Sequence, residues 1–508
     1  MSNKKNKVSL NPIMTLMILI VVTIVLSGVL ALFGVGASYD TIKNSTYESN
    51  WVAVESLFNL RGIKYIFQST VSNFAAFTPL SMLIIILIGI GIMDKSGFLK
   101  TTFSLITRKC QKKTLTFVLA LICIILSIGG DLAYVVMIPL SALLFYYGRR
   151  NPLLGIVISF AALTCGTGLS FFKTSIDSSL DALTLESSRI LDSSYTFTYL
   201  GYFIIMVVAI LAIAALITYI SERFSVNELP KYEFKDDKKE FKLAKRDIRG
   251  LIFAGTFGII YLLIFIYNII PGLPLSGNLL DYSQKLYIDK LFNQDSFFSQ
   301  GFVFIVTILF VILGLFYGLG SRSIKNSNDF CDYLTHSLDG IGRTIILILL
   351  SSILVNVFKK SNIGTVITAL IGNLITNCKF TGIPLLVLFF IGTAVATFFL
   401  PNTVNKWTIL SASCVPTLMN VGFSAEFIQV IFRFAEGMTY GLTPIMAYFV
   451  IYLAYMEKYN TADNPIGVFK ILNYQKKYAL ATGVLLLIIL IIWYLVGLPI
   501  GIGVMPTI

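Results

Sequence analysis

The chain is poor in charge. Asp, Glu, Lys and Arg make up only 13% of its 508 residues, about half the share typical of a soluble domain. That leaves too little polar side chain to cover a water-exposed surface, which excludes an ordinary soluble fold. Histidine is nearly missing. His336 is the only one, so a zinc site built on several imidazoles is excluded. The six cysteines (Cys110, Cys123, Cys165, Cys331, Cys378 and Cys414) are scattered, and none forms a CxxC pair. They read as small apolar residues, not as a disulfide framework or a metal site. Walker A, GxSxG and HExxH signatures are missing too, so no catalytic constellation points to an enzyme or to a bound cofactor.

What is present is apolar and comes in long blocks. Hydrophobic residues make up 56% of the chain and mean hydropathy is +0.83. Runs such as Ile18 to Gly36 and Ala479 to Gly501 match the ~20 residues that cross a ~30 Å hydrocarbon core. The first of them is too long for a signal-peptide core and lacks a small-x-small cleavage site after it, so it reads as a retained helix. The net charge of +13 does not indicate nucleic acid, because Lys and Arg cluster in short loops between apolar blocks. A basic loop holds Lys95, Lys100, Arg108, Lys109, Lys112 and Lys113. Placing it in the cytoplasm puts the amino terminus, with Lys4, Lys5 and Lys7, there as well.

The organisation expected is all-α and polytopic. Residues 1–70 form a first helix and an extracytoplasmic loop, and 71–220 a first membrane repeat. Residues 221–249 form a charged cytoplasmic loop and 250–298 a linking helix and loop. A second repeat covers 299–456, and 457–508 hold a basic loop and a last span. Two interruptions stand out in the apolar pattern. Pro152 to Leu183 begins apolar and then turns polar, the stretch Ala161 to Thr184 being rich in Ser, Thr and Gly, and Pro401 to Pro416 is a second polar break. Irregular backbone at membrane depth survives only inside protein or beside water. Paired interruptions in two halves point to a transporter binding site.

Ionisable residues inside apolar spans cost ~2.5–3.5 kcal/mol each on insertion scales, and so suggest function. Asp131, after Gly129-Gly130, reads either as a helix cap or as an ion contact. Asp177 reads as a loop carboxylate or as a cation or proton site. Lys173 lies among aromatic residues and either snorkels or faces a substrate. Lys406 and Trp407 sit together, the tryptophan being an interfacial anchor or a stacking platform for an aromatic substrate. Arg433 and Glu436 are spaced to share one helical face. They either neutralise each other or lend a partner to substrate or proton. Pro444, in Gly441 to Pro444, breaks a helix and either kinks it or frees carbonyls for a cation.

Three stretches, Asn59 to Leu99, Asp131 to Gly155 and Lys406 to Phe449, together with Phe310 to Asn326, resemble the p-aminobenzoyl-glutamate transporter (AbgT) family, as a divergent member. The resemblance runs through nearly the whole chain. It implies a homodimer in the bacterial cytoplasmic membrane. Each subunit is expected to have about nine transmembrane helices and two re-entrant helical hairpins in an inverted repeat, the hairpins falling at the two polar interruptions. It carries the family's hairpin-one aspartate onto Asp177, its tryptophan onto Trp407 and its helix-breaking proline onto Pro444. Its arginine–acid pair falls on Arg433 and Glu436, with Glu for the usual Asp. The family's Ser-Ala-Asn reads Gly168-Leu169-Ser170 here, the proline after the aspartate is Ser178, and its Asn before the second hairpin is Thr397. Its Gly-Ser-Ala-Ser run is Pro401-Asn402-Thr403-Val404, and Lys173 stands where the pattern is apolar.

The expected function is ion-coupled transport of a small organic anion, p-aminobenzoyl-glutamate-like or an aromatic antimetabolite. Trp407, Arg433, Asn402, Lys173 and Ser170 are the expected substrate contacts. Asp177, Glu436, Pro444, Asp131 and Thr397 are the expected Na⁺ or H⁺ coupling residues. A carrier of dicarboxylates or short peptides and a passive channel are the alternatives.

Overall fold

The computed structural model describes residues 10–43, 46–170, 174–198, 201–234, 242–293, 295–461 and 465–508, apart from the side chains of Lys43 and Ile288. The amino-terminal lysines and Lys173 lie outside the described residues. Among the described residues, nine helices are long and apolar enough to cross a membrane. The chain opens with α1 (Pro12–Leu32), capped by Asn11 and started by a proline. An antiparallel hairpin follows, β1 (Gly36–Lys43) on β2 (Thr46–Ala53), with Gly36 opposite Ala53. This small sheet lies in the stretch read only as a polar loop, and it qualifies the all-α expectation. Alternating residues over eight positions on each side of a short polar turn suit a ribbon.

The first half continues through α2 (Leu60–Ala75), α3 (Thr78–Lys95) and α4 (Phe98–Lys109). Next comes a helical hairpin, α5 (Lys112–Leu126) and α6 (Asp131–Tyr147), turned by Ser127–Gly129 and by Gly130 at φ +57. Glycine tolerates that left-handed backbone. After it come α7 (Pro152–Cys165), a non-helical break, α8 (Ser175–Ser188) and α9 (Phe203–Ile220). The linker holds the three-residue α10 (Val226–Glu228), α11 (Lys245–Ile269) and the short α12 (Tyr287–Phe292). Then follow α13 (Phe297–Ser321), α14 (Ser327–His336), α15 (Gly342–Lys360) and α16 (Ile363–Asn377).

The second half repeats the order of the first. A hairpin of α17 (Gly382–Phe399) and α18 (Thr403–Met419) precedes α19 (Ala425–Thr439). A break around Thr443 and Pro444 follows, then α20 (Phe449–Lys458) and α21 (Val468–Val496). The packing repeats as well. In the first half α5 and α6 rest on α7, and in the second α17 and α18 rest on α19. The halves also exchange contacts, α18 lying on α8 and α6 on α20. At 1.5 Å per residue each hairpin arm is ~22–27 Å long; two of them, α5 with its turn and α17, are the shortest of the nine apolar helices counted above. The two pieces of each broken helix sum to about 40 Å.

The first expected hairpin is therefore misplaced. The polar stretch from Gly166 separates α7 from α8, which do not pack along one another as hairpin arms do. The hairpin lies earlier, turned by the two glycines before Asp131. The run Thr114 to Tyr147 is too long for one straight span and is interrupted at Gly129, Gly130 and Asp131, and that interruption marks the turn. The second interruption is also shorter than expected. Helix resumes at Thr403, because the Ser and Thr residues that follow sit on a helix in protein contact.

Burial sorts the helices. Every residue of α7 is buried, and so is α19 from Ala425 to Gly437. By contrast α11 leaves Ile252, Ile259, Leu263 and Ile264 each more than half exposed. Apolar surface turned outward along a whole helix is what a bilayer solvates. The two broken helices thus sit at the centre, with lipid-facing helices around them.

Candidate functional site

Three elements bring four charges together at the centre. The first is α8. Thr174 caps it, and Asp177 closes a capping box, its Oδ2 accepting from the Thr174 amide (3.0 Å) and hydroxyl (2.7 Å). The second is α18, capped by the Asn402 side chain, which accepts from the Asn405 amide at 2.9 Å. This cap projects Thr403 and Lys406 from the first turns of the helix. The third is α19, capped by Ser424, which carries Arg433 and Glu436 one turn apart.

Arg433 bridges both acids. Its NH1 donates to Glu436 Oε2 at 2.8 Å, and its NH2 lies 3.5 Å from Asp177 Oδ1. Lys406 Nζ donates to Glu436 Oε1 at 2.9 Å, and the Thr403 hydroxyl donates to the same oxygen at 2.5 Å. Lys406 and Glu436 are 0% exposed, Asp177 3% and Arg433 6%. Two cations and two carboxylates cancel. Four unpaired charges would cost about 10 kcal/mol at bilayer depth, and mutual pairing offsets most of that. Arg433 Nε alone finds no acceptor. It faces the backbone of Gly168 in the first break, where a Cβ would come within 2.8 Å of it.

A second polar chain runs alongside. Trp407 is fully buried, and its ring lies 4.3 Å from that of Phe432. Its Nε1 donates to Thr184 Oγ1 (3.0 Å), Thr184 donates to Gln429 Oε1 (2.5 Å), and Gln429 Nε2 donates to Asp181 Oδ1 (2.7 Å). Burial of this depth rules out interfacial anchoring for Trp407. In this conformation the ring is covered by protein on α8, α17 and α19.

The other expected residues fall around the cluster. Ser170 is buried in the first break. Pro444 sits in the non-helical stretch after α19, as its chemistry demands. Thr397 is buried, but its hydroxyl donates to Thr393 within its own helix. The Asn402 side chain is engaged as a cap. Asp131 stands apart at the first residue of α6. It makes no capping bond, and the Tyr448 hydroxyl faces it from the second break.

Three contributors escaped the sequence reading: Thr184, Asp181 and Gln429. A signal for all three existed. Asp177, Asp181 and Thr184 fall at i, i+4 and i+7, and so do Gln429, Arg433 and Glu436. Each set is one polar stripe on a helix.

A polytopic bundle with two broken helices, and charges buried where they meet, has the build of a membrane transporter. The chain belongs to the AbgT transporter family, whose model matches residues 4–508. Among curated relatives, the p-aminobenzoyl-glutamate transport protein of Escherichia coli K12 is 25% identical over 505 residues, 99% of this chain and 95% of that one. Two solved transporters align over nearly the full length. YdaH of Alcanivorax borkumensis is 23% identical with a TM-score of 0.48, over 97% of this chain and 100% of that one. MtrF of Neisseria gonorrhoeae, from a class of antimetabolite efflux pumps, is 26% identical with a TM-score of 0.48, over 98% of each. The chain is thus a multi-pass membrane transporter and not an enzyme.

Proposed function

We propose that this protein is an ion-coupled secondary transporter of a small organic anion of the p-aminobenzoyl-glutamate type, or of an aromatic antimetabolite. The observation that carries the reading is the charge cluster itself. Asp177, Lys406, Arg433 and Glu436 come from three separate elements and meet with no net charge. Arg433 attracts the substrate carboxylate through a two-pronged guanidinium, with Nε already free. Trp407 packs on the aromatic body once exposed. Asp177 and Glu436 answer for the coupling cation or proton when Arg433 turns to substrate. The two hairpins enter the membrane and return to the same face. Basic residues at both ends of the first one, Lys112-Lys113 and Arg149-Arg150, support that placement. The protein works as a homodimer in the bacterial cytoplasmic membrane, with its amino terminus in the cytoplasm.

Proteoliposome flux of p-aminobenzoyl-glutamate tests the reading, with Na⁺ and pH gradients imposed separately. Saturable, gradient-driven flux is expected in the wild type. Asp177→Asn and Glu436→Gln are each expected to abolish it while the protein still assembles. Normal flux in both variants would overturn the role assignment, and unsaturable flux without coupling would identify a passive pore.

A further inference from the structure

Lys406 is an unusual neighbour for a hairpin tip. Its ammonium touches Glu436 Oε1 at 2.9 Å and lies 3.5 Å from the carbonyl oxygen of Leu400, the residue that ends α17. The Phe432 ring lies 5.5 Å away. A carboxylate, a carbonyl at the negative end of a helix and an aromatic face are what a dehydrated cation seeks. Here a side chain of the protein already supplies the cation. We propose that Lys406 is a built-in counterpart of the coupling cation, and that the coupled species is the proton it gains and loses. The inference rests on the transporter reading above and deepens it by naming the ion.

Arg433 and Lys406 match Asp177 and Glu436, and losing a proton from Lys406 changes that balance. The N–H bond breaks, the electron pair stays on nitrogen, and the proton passes to water on the side to which the tip has opened. Glu436 is then held by Arg433 and the Thr403 hydroxyl alone, so that the tip keeps one hydrogen bond to Glu436 in place of an ion pair and a hydrogen bond. Proton uptake from the other side restores the contact.

The groups facing Lys406 are few. From α19 and the break after it come Arg433, Glu436 and Tyr440. From α8 come Asp177 and Asp181, behind Arg433 and Gln429. Both α16 and α17 carry no titratable side chain, and β1 brings Tyr39 and Asp40 to the far side of α18.

The neighbouring tryptophan gives a readout that needs no substrate. Of the three tryptophans, Trp51 and Trp493 are replaced by phenylalanine, leaving Trp407. Its emission is expected to shift with pH at fixed Na⁺ and to stay unchanged when Na⁺ replaces choline at fixed pH. The pH response should vanish in Lys406→Met/Glu436→Gln, a pair chosen because it leaves no unmatched charge and therefore folds. A Na⁺-dependent shift at fixed pH, no pH response, or a response that survives in the double variant would each overturn the proposal. In proteoliposomes, pH-driven accumulation of p-aminobenzoyl-glutamate should fall at least about tenfold in Lys406→Met, since an unmatched charge at this depth blocks the cycle. Counterflow of p-aminobenzoyl-glutamate without any ion gradient separates the two claims. If counterflow is absent, the transporter reading for this substrate fails. If it is present and accumulation follows Na⁺ at clamped pH, only the role of Lys406 fails.

Discussion

The tips of the two hairpins occupy equivalent places in the two halves and carry opposite chemistry. At the first, Gly130 turns the chain and Asp131 begins α6, next to tyrosines. The Tyr448 and Tyr134 rings stack at 5.6 Å, and the Tyr448 hydroxyl donates to Thr78 Oγ1 at 3.0 Å. At the second, Leu400 to Asn402 turn the chain, and Thr403 and Lys406 are locked into the buried ion cluster. The residue class of the first tip is exposed carboxylate with neutral partners, and that of the second is buried cation with charged ones. The same backbone device has been put to two uses. One tip is held by four charges that must stay matched, and the other is held by packing and neutral hydrogen bonds.

The largest expected effect follows from that difference. Arg433→Met leaves Asp177 without its cation, held only by Thr174, and Glu436 with one partner fewer, inside protein. Removing one member of a buried ion network costs ~3–5 kcal/mol. Asp131→Asn, at the other tip, should cost under about 1 kcal/mol, as a partly solvated carboxylate does. Thermal unfolding in detergent, followed for both variants, checks the contrast. Equal losses would erase the distinction between the tips.

A smaller contrast compares two glycines that share a left-handed backbone. Gly168 has φ +88 and faces the Arg433 guanidinium, whereas Gly130 has φ +57 and nothing within 4 Å of an added Cβ. Both alanine variants incur the ~1–3 kcal/mol of a non-glycine residue held at a sparsely populated positive φ. Gly168→Ala adds overpacking of ~1–3 kcal/mol against the buried guanidinium. It should lower stability more than Gly130→Ala and raise the KM for flux, because Arg433 is displaced. If both variants lose the same stability with KM unchanged, Gly168 does not position Arg433.

What the sequence made legible divides along the same line. The membrane class and the pairing of Arg433 with Glu436 were readable, because a charge in an apolar run is conspicuous and a spacing of three on a helix fixes a shared face, whereas Asp177 joined them only through the family resemblance. The break at Pro444 was readable because proline cannot continue a helix. The position of the first hairpin was marked by the interruption at Gly129, Gly130 and Asp131, but its turn is short, and the polar stretch from Gly166 advertised itself more loudly. Thr184 and Gln429 were hidden for another reason. Neutral polar residues are common in membrane helices, and only the crossing of α8 with α18 and α19 reveals that they hold Trp407. The engagement of Asn402 as a cap was equally invisible, since the polar run around it gave no helix start.

The smallest expected effect concerns the first tip alone. Tyr448→Phe keeps the ring that stacks on Tyr134 and removes only the hydroxyl. The bond to Thr78 is neutral, and such bonds contribute ~0.5–1.5 kcal/mol net. The hydroxyl also faces Asp131, which retains solvent access to replace that contact. The variant should therefore lose about 1 kcal/mol of stability, with gradient-driven flux within about twofold of wild type. A loss of coupled flux far beyond the loss of stability would mean that Asp131 and Tyr448 take part in ion passage. The two tips would then be working partners in the cycle, and the neutral contacts of the first would be as functional as the ion lock of the second.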